Sequence, residues 1–117
     1  MKSLKLVAAL LAIALTLANC ATPVSEKRYN EVRAKLQTSA AYRKSETTRC
    51  LSIMSSVPKV DQEAYEPMLR IPAGTFGRTI CIRLINGVIS GRISRHNVND
   101  YLSRRDYRGV ILVAMGK

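Results

Sequence analysis

The chain has no tryptophan, one phenylalanine (Phe76) and one histidine (His96) among 117 residues. With so little aromatic bulk, any core must be built from aliphatic side chains. A single histidine excludes the metal centres that draw on two or three imidazoles. Cysteine is sparse as well: Cys20, Cys50 and Cys81 form no Cys-x-x-Cys pair, which removes zinc-ribbon and thioredoxin-like chemistry. "PAGTFGRT" lacks the Lys-Ser/Thr ending of a phosphate loop. Acidic residues are few, 8 Asp and Glu against 19 Lys and Arg, a formal net charge of +11. No metal or cofactor is expected, and no catalytic residues are assigned. His96 has no partners in a nucleophile–base–carboxylate pattern and is read as a solvated loop residue. Glu63 and Glu66 stand beside Pro67 and are read as solubilising rather than as an acid–base pair. The chain is not expected to be an enzyme.

The apolar run Leu6–Ala18 is 13 residues long. As a helix it reaches about 20 Å, short of the ~30 Å hydrocarbon core of a bilayer. Lys2 and Lys5 precede it and small residues close it, the pattern of an export signal over residues 1–19. Leu17-Ala18-Asn19-Cys20 resembles the lipobox of bacterial lipoproteins, with Asn19 standing where Gly, Ala or Ser is usual. That resemblance implies that Cys20 becomes the lipid-bearing first residue of the mature chain. It is a targeting signature and implies nothing about the rest of the sequence. The alternative is cleavage after Ala18, with Thr16 and Ala18 as the small residues, and soluble periplasmic or secreted export.

An exported chain meets an oxidising compartment, where thiols pair. Three cysteines cannot pair within one chain; a lipid on Cys20 leaves Cys50 and Cys81 as a structural disulfide. Residues 20–24 read as a tether and 25–117 as a single small basic domain.

Tyr29, Val32, Leu36 and Ala40 recur at helical spacing after Ser25, with charged residues opposite. Tyr42, Cys50, Ile53, Met54 and Val57 continue the pattern, as a second helix or an extension of the first, until Pro58. Lys59–Thr75 carries Pro67, Pro72 and Gly74 and reads as punctuation, with at most a turn or short helix capped by Asp61. Residues 76–94 have two readings. Asn86-Gly87 between β-branched runs signals a hairpin. Thr75 as cap and Gly91 past the end signal a helix. In the helical reading Ile80, Cys81, Leu84, Ile85, Val88, Ile89 and Ile82 fill a broad arc, and Thr79, Arg83, Asn86 and Ser90 a narrow one. The helix is preferred. Asn97–Asp100 reads as a capping box for a helix ending near Arg105, with Val98, Tyr101 and Leu102 inward. Residues 108–117 suit helix or strand, Gly116 favouring the helix. The expected fold is mostly α, a small helical bundle stapled by one disulfide; the alternative is α+β with a hairpin at Asn86-Gly87.

Without residues 1–19 the chain carries +9, unevenly distributed. Eight bases face six acids up to Glu66; from Pro67 onward nine bases face two acids. Arginine dominates the second half, and its planar fork suits phosphate and carboxylate. Arg92, Arg95, Arg104, Arg105 and Arg108 are the candidate anion-binding residues, with Arg104 and Arg108 adjacent if a helix continues through them. Export points away from intracellular nucleic acid and toward a membrane held through Cys20, with anionic lipid, lipopolysaccharide, acidic glycan or an acidic protein as partner. The expected role is a small exported, lipid-anchored envelope protein that binds such a component, facing the periplasm or cell surface. The alternative is an accessory subunit of an envelope assembly with incidental charge.

Overall fold

A computed structural model describes residues 23–104, 106 and 108–117. Among these the fold is all helical: α1 Glu26–Thr38, α2 Ala40–Met54, α3 Lys59–Met68, α4 Phe76–Ser90, α5 Arg95–Arg104 and α6 Arg108–Ala114. Cys20 and the export segment lie outside the described residues.

α4 is the hub, packing against α1, α2, α3 and α6. Phe76, Ile80, Cys81, Leu84, Ile85 and Val88 are buried along it. Full burial of such a side chain contributes roughly 1.5–3 kcal/mol, so this one helix organises the core. Ile82, at the rim of the expected arc, is 43 % exposed.

The hairpin alternative at Asn86-Gly87 is not realised, and the packing shows why glycine stands there. A Cβ on Gly87 would lie 2.6 Å from Val113 Cγ1 and 2.8 Å from Ile93 Cδ1. The missing side chain lets α6 and the turn before α5 reach the α4 backbone. Gly91 then ends α4 in the left-handed region, φ 80°, where a Cβ is costly. Thr75 precedes α4 but makes no side-chain cap bond; its hydroxyl donates to Pro72 O at 2.7 Å instead.

α1 and α2 are two helices, not one. Ser39 is extended (φ −115°, ψ 108°), and its hydroxyl accepts the Tyr42 N–H, a local cap that competes with helix continuation. Tyr29, Val32 and Leu36 face the core as expected, whereas Ala40 begins the next helix and is exposed. α2 and α4 run antiparallel: a Gly77 Cβ would meet Met54 Cβ at 3.2 Å, and four residues inward on each helix Cys50 and Cys81 form the expected disulfide, Cα–Cα 5.9 Å.

Lys59–Met68 is a ten-residue helix, longer than its prolines suggest. Pro58 starts it, accepting the Asp61 and Gln62 N–H groups through its carbonyl, so Asp61 lies in the first turn and is not the cap. The helix ends in paired bonds from Arg70 N to Pro67 O and from Ile71 N to Glu66 O. Arg70 holds the left-handed position, φ 54°, that glycine usually fills.

α5 begins at Arg95, and its cap, Ser94, lies three residues before the cap expected at Asn97. Ser94 Oγ accepts the Asn97 N–H while Asn97 Oδ1 accepts from Ser94 N and Oγ, a reciprocal cap with asparagine in the distal role. The tail is helical, and Gly116 (φ 79°) closes it with bonds from Gly116 N to Val113 O and Lys117 N to Leu112 O.

Candidate functional site

The four described candidate arginines are spread over three segments of the chain. Arg92 is exposed in the turn after α4, Arg95 opens α5, Arg104 ends it and Arg108 opens α6. Arg105 lies outside the described residues. Arg104 is nine positions after Arg95, about 14 Å along the helix axis and about half a turn around it. Because α5 stops at Arg104, the helical adjacency expected for Arg104 and Arg108 does not form. Arg108 is instead engaged by Asp106, Nε to Oδ1 at 2.9 Å and Nη2 to Oδ2 at 2.8 Å. That bidentate hydrogen bond holds the Asp106 carboxyl down at about 2 and raises the Arg108 guanidinium.

A different basic corner is assembled at the start of the domain. Val24 N donates to Asn99 Oδ1 at 2.8 Å, and Asn99 Nδ2 donates to Val24 O at 3.1 Å. Val24 is only 2 % exposed, so it belongs to the folded body and not to the expected tether. Tyr29 Oη donates to Ile93 O at 2.6 Å, and burial pushes this phenol up. Arg33 Nε and Gln37 Nε2 both donate to Ile89 O, at 3.2 and 3.1 Å. The Arg33 guanidinium lies over Gly91, next in sequence to Arg92. α1 is thereby stitched to the end of α4 and the start of α5. Lys27 and Arg28 are exposed in the first turn of α1, Arg28 within 3.8 Å of the Glu31 carboxylate, and Arg92 and Arg95 are exposed in the turn after α4 and at the start of α5.

Arg83 is a structural cation. Its Nη1 donates to Leu69 O and Ala114 O, both at 2.9 Å, and Nη2 to Arg70 O at 3.1 Å. One guanidinium therefore caps the ends of α3 and α6, where free carbonyls and the helix dipole favour positive charge. Nothing in the sequence separates it from the other arginines except its place on the narrow polar arc of α4. Arg83 and Arg92 also line a cavity of about 330 Å³ between α4 and α6.

Glu66 is buried, 6 % exposed, and its carboxylate accepts the Gly74 N–H at 2.8 Å. The solubilising role expected of it is thus corrected. It lines an open groove of about 800 Å³ between α3 and residues 71–74. His96 is exposed, 3.1 Å from Asp100 Oδ2 on the same helix. Among the described residues no group of three His, Cys, Asp or Glu side chains is placed to hold a metal ion, and no helix is long and apolar enough to cross a membrane. The disulfide points to an oxidising, exported compartment. No protein-family model, curated protein or solved structure matches the chain.

Proposed function

We propose that this protein is a lipid-anchored envelope protein that engages anionic headgroups with the basic corner around Val24. The observation that carries the reading is the Val24–Asn99 clamp. Val24 is only four positions after Cys20, a step that fully extended chain spans in at most about 14 Å. A lipid on Cys20 therefore holds the α1–α5 corner, with Lys27, Arg92 and Arg95, close to the bilayer surface. Each base near an anionic leaflet contributes about 1 kcal/mol, screened within a Debye length of ~8–10 Å. Arg104 and Arg108, at the far end of α5 and beyond, contribute less.

Fatty-acid labelling of wild type and Cys20→Ser tests the anchor; label on wild type alone is expected, and label on neither refutes it. Binding of the mature protein to anionic and neutral vesicles and to lipopolysaccharide, across a salt series, tests the surface. A preference for anionic vesicles that fades with salt, and falls in Lys27→Gln/Arg92→Gln/Arg95→Gln, is expected. Equal binding to neutral vesicles refutes it.

A second reading, an accessory subunit of an envelope assembly, is favoured by Leu51 and Ile82. Each follows one of the bonded cysteines, and they are 37 % and 43 % exposed. An interface on that side is apolar and resists salt, which distinguishes it from the basic corner.

A further inference from the structure

Among the described residues of this strongly positive chain, the one buried charged side chain is an acid. Glu66 is 6 % exposed, and a carboxylate removed that far from water is costly unless it is paired. Its recorded partner is a neutral one, the Gly74 N–H on Oε2. Oε1 has no hydrogen-bond or ion-pair partner among the described residues. Among the described residues the only fully enclosed, unpartnered side-chain polar atom is Tyr65 Oη, so Oε1 keeps access to the groove that Glu66 lines. Glu63 lines the same groove one turn back on α3. Pro67, Ile71 and Ala73 supply apolar wall beside the two carboxylates. Lys59 also reaches the groove, but it is seven residues from Glu66, about 10 Å along the helix, and one turn from Glu63.

We propose that this groove binds an alkyl ammonium or guanidinium group, with Glu66 as its counter-ion, Glu63 as a second carboxylate and the apolar wall as a seat for the alkyl stem. A volume near 800 Å³ admits such a ligand within the usual range for small-molecule sites. The Gly74 bond fixes the carboxylate before the ligand arrives, so little side-chain entropy is lost on binding. The same chemistry is carried by free diamines and agmatine and by lysine or arginine side chains of a polypeptide. This proposal is independent of the lipid on Cys20 and of the basic corner, which selects the opposite charge.

The Gly74 amide, donating directly to Glu66, is the reporter. Isotope-labelled mature protein is titrated by amide NMR with cadaverine, agmatine, the uncharged analogue pentanediol, and lysine- and arginine-containing tripeptides. Saturable shifts of Gly74 and Ile71 are expected with the cationic probes and not with pentanediol. Glu66→Gln keeps a carbonyl for the Gly74 N–H and is expected to bind roughly tenfold or more weakly, the loss on replacing a charge-assisted hydrogen bond by a neutral one. Glu63→Gln is expected to fall between it and wild type. Tighter binding of the tripeptides identifies a polypeptide source, and tighter binding of the free amines a small-molecule one. No saturable shift with any cationic probe at millimolar concentration overturns the proposal, as does equal response to cadaverine and pentanediol. Undiminished affinity in Glu66→Gln also overturns it. Should Glu66→Gln fail to fold, the wild-type comparison of cadaverine with pentanediol decides.

Discussion

Replacing Cys50 and Cys81 together by alanine should cost this domain a large part of its stability. The bond joins residues separated by 31 positions. Loop-closure entropy for that separation corresponds to about 3.7 kcal/mol at 25 °C on the chain-entropy expression. Small domains have only ~5–15 kcal/mol in total. The bond crosses the α2–α4 contact at two residues that are 1 % and 0 % exposed, so the staple sits at the hub helix and not at a frayed edge. For 60–100 residues each kcal/mol moves Tm by about 4–8 °C, which places the expected fall at about 15–30 °C. Thermal unfolding followed by far-ultraviolet circular dichroism measures it, and the double variant leaves no unpaired thiol at either position. Loss of any cooperative transition is the strong form of the same result. A fall of less than about 5 °C refutes the reasoning: packing across Met54 and Gly77 would then hold α2 on α4 unaided. Non-reducing peptide mapping of the native protein should recover one linked pair.

Arg83→Met removes three bonds to the carbonyls that end α3 and α6, for an expected loss of about 2–4 kcal/mol in denaturant unfolding. Arg83→Lys should recover less than half, since one ammonium cannot reproduce the fork; full recovery would contradict the capping role. Gly87→Ala gains about 1 kcal/mol in helix propensity but drives a Cβ into Val113 and Ile93, so a net loss of about 1–2 kcal/mol is expected. Adding Val113→Ala should reverse part of that loss. The Asp106 carboxyl should titrate near 2 by NMR and return toward its ordinary value of 3.8 in Arg108→Gln. Because its folded pKa is depressed, its contribution is fully present above about 3.8 and disappears as the pH falls through about 2.

The apolar periodicity of α1, α2, α4 and α5 was legible because it is repeated many times within each helix. Tyr29, Val32 and Leu36, or Ile80, Leu84 and Val88, state one face again and again. Single-residue signals misled where one residue type serves two structural purposes. Asn86-Gly87 reads as a turn because glycine permits one, yet here glycine is selected for its missing side chain against α6. Asn97 reads as a cap, yet it is the partner that reaches back to the cap at Ser94. α3 was hidden by its prolines and by its ending: the left-handed residue after it is Arg70 and not glycine. The carbonyl of that arginine is held by Arg83, thirteen residues away, a contact that no local pattern announces.

Charge was the least legible property, because a count carries no positions. Nine bases after Pro67 suggested one arginine surface in the second half. Folding distributes them by other demands. Arg83 is consumed by helix ends, Arg108 by Asp106, and Arg95 and Arg104 are turned apart by the pitch of α5. Meanwhile α1, from the half of the chain with the smaller charge excess, brings Arg33 to the turn that carries Arg92. The Val24–Asn99 clamp spans 75 residues, so sequence proximity could not have foretold that corner. The same logic runs in reverse for the acids. Six of the eight lie before Pro67 and look like neutralising ballast, yet one of them, Glu66, is the charge the fold encloses. What selects the chemistry at each surface is which charges are left without a partner after helix ends and ion pairs have taken theirs. In the readings proposed above, Lys27, Arg92 and Arg95 would be the positive charges turned to a membrane, and Glu66 the negative charge turned to a cation.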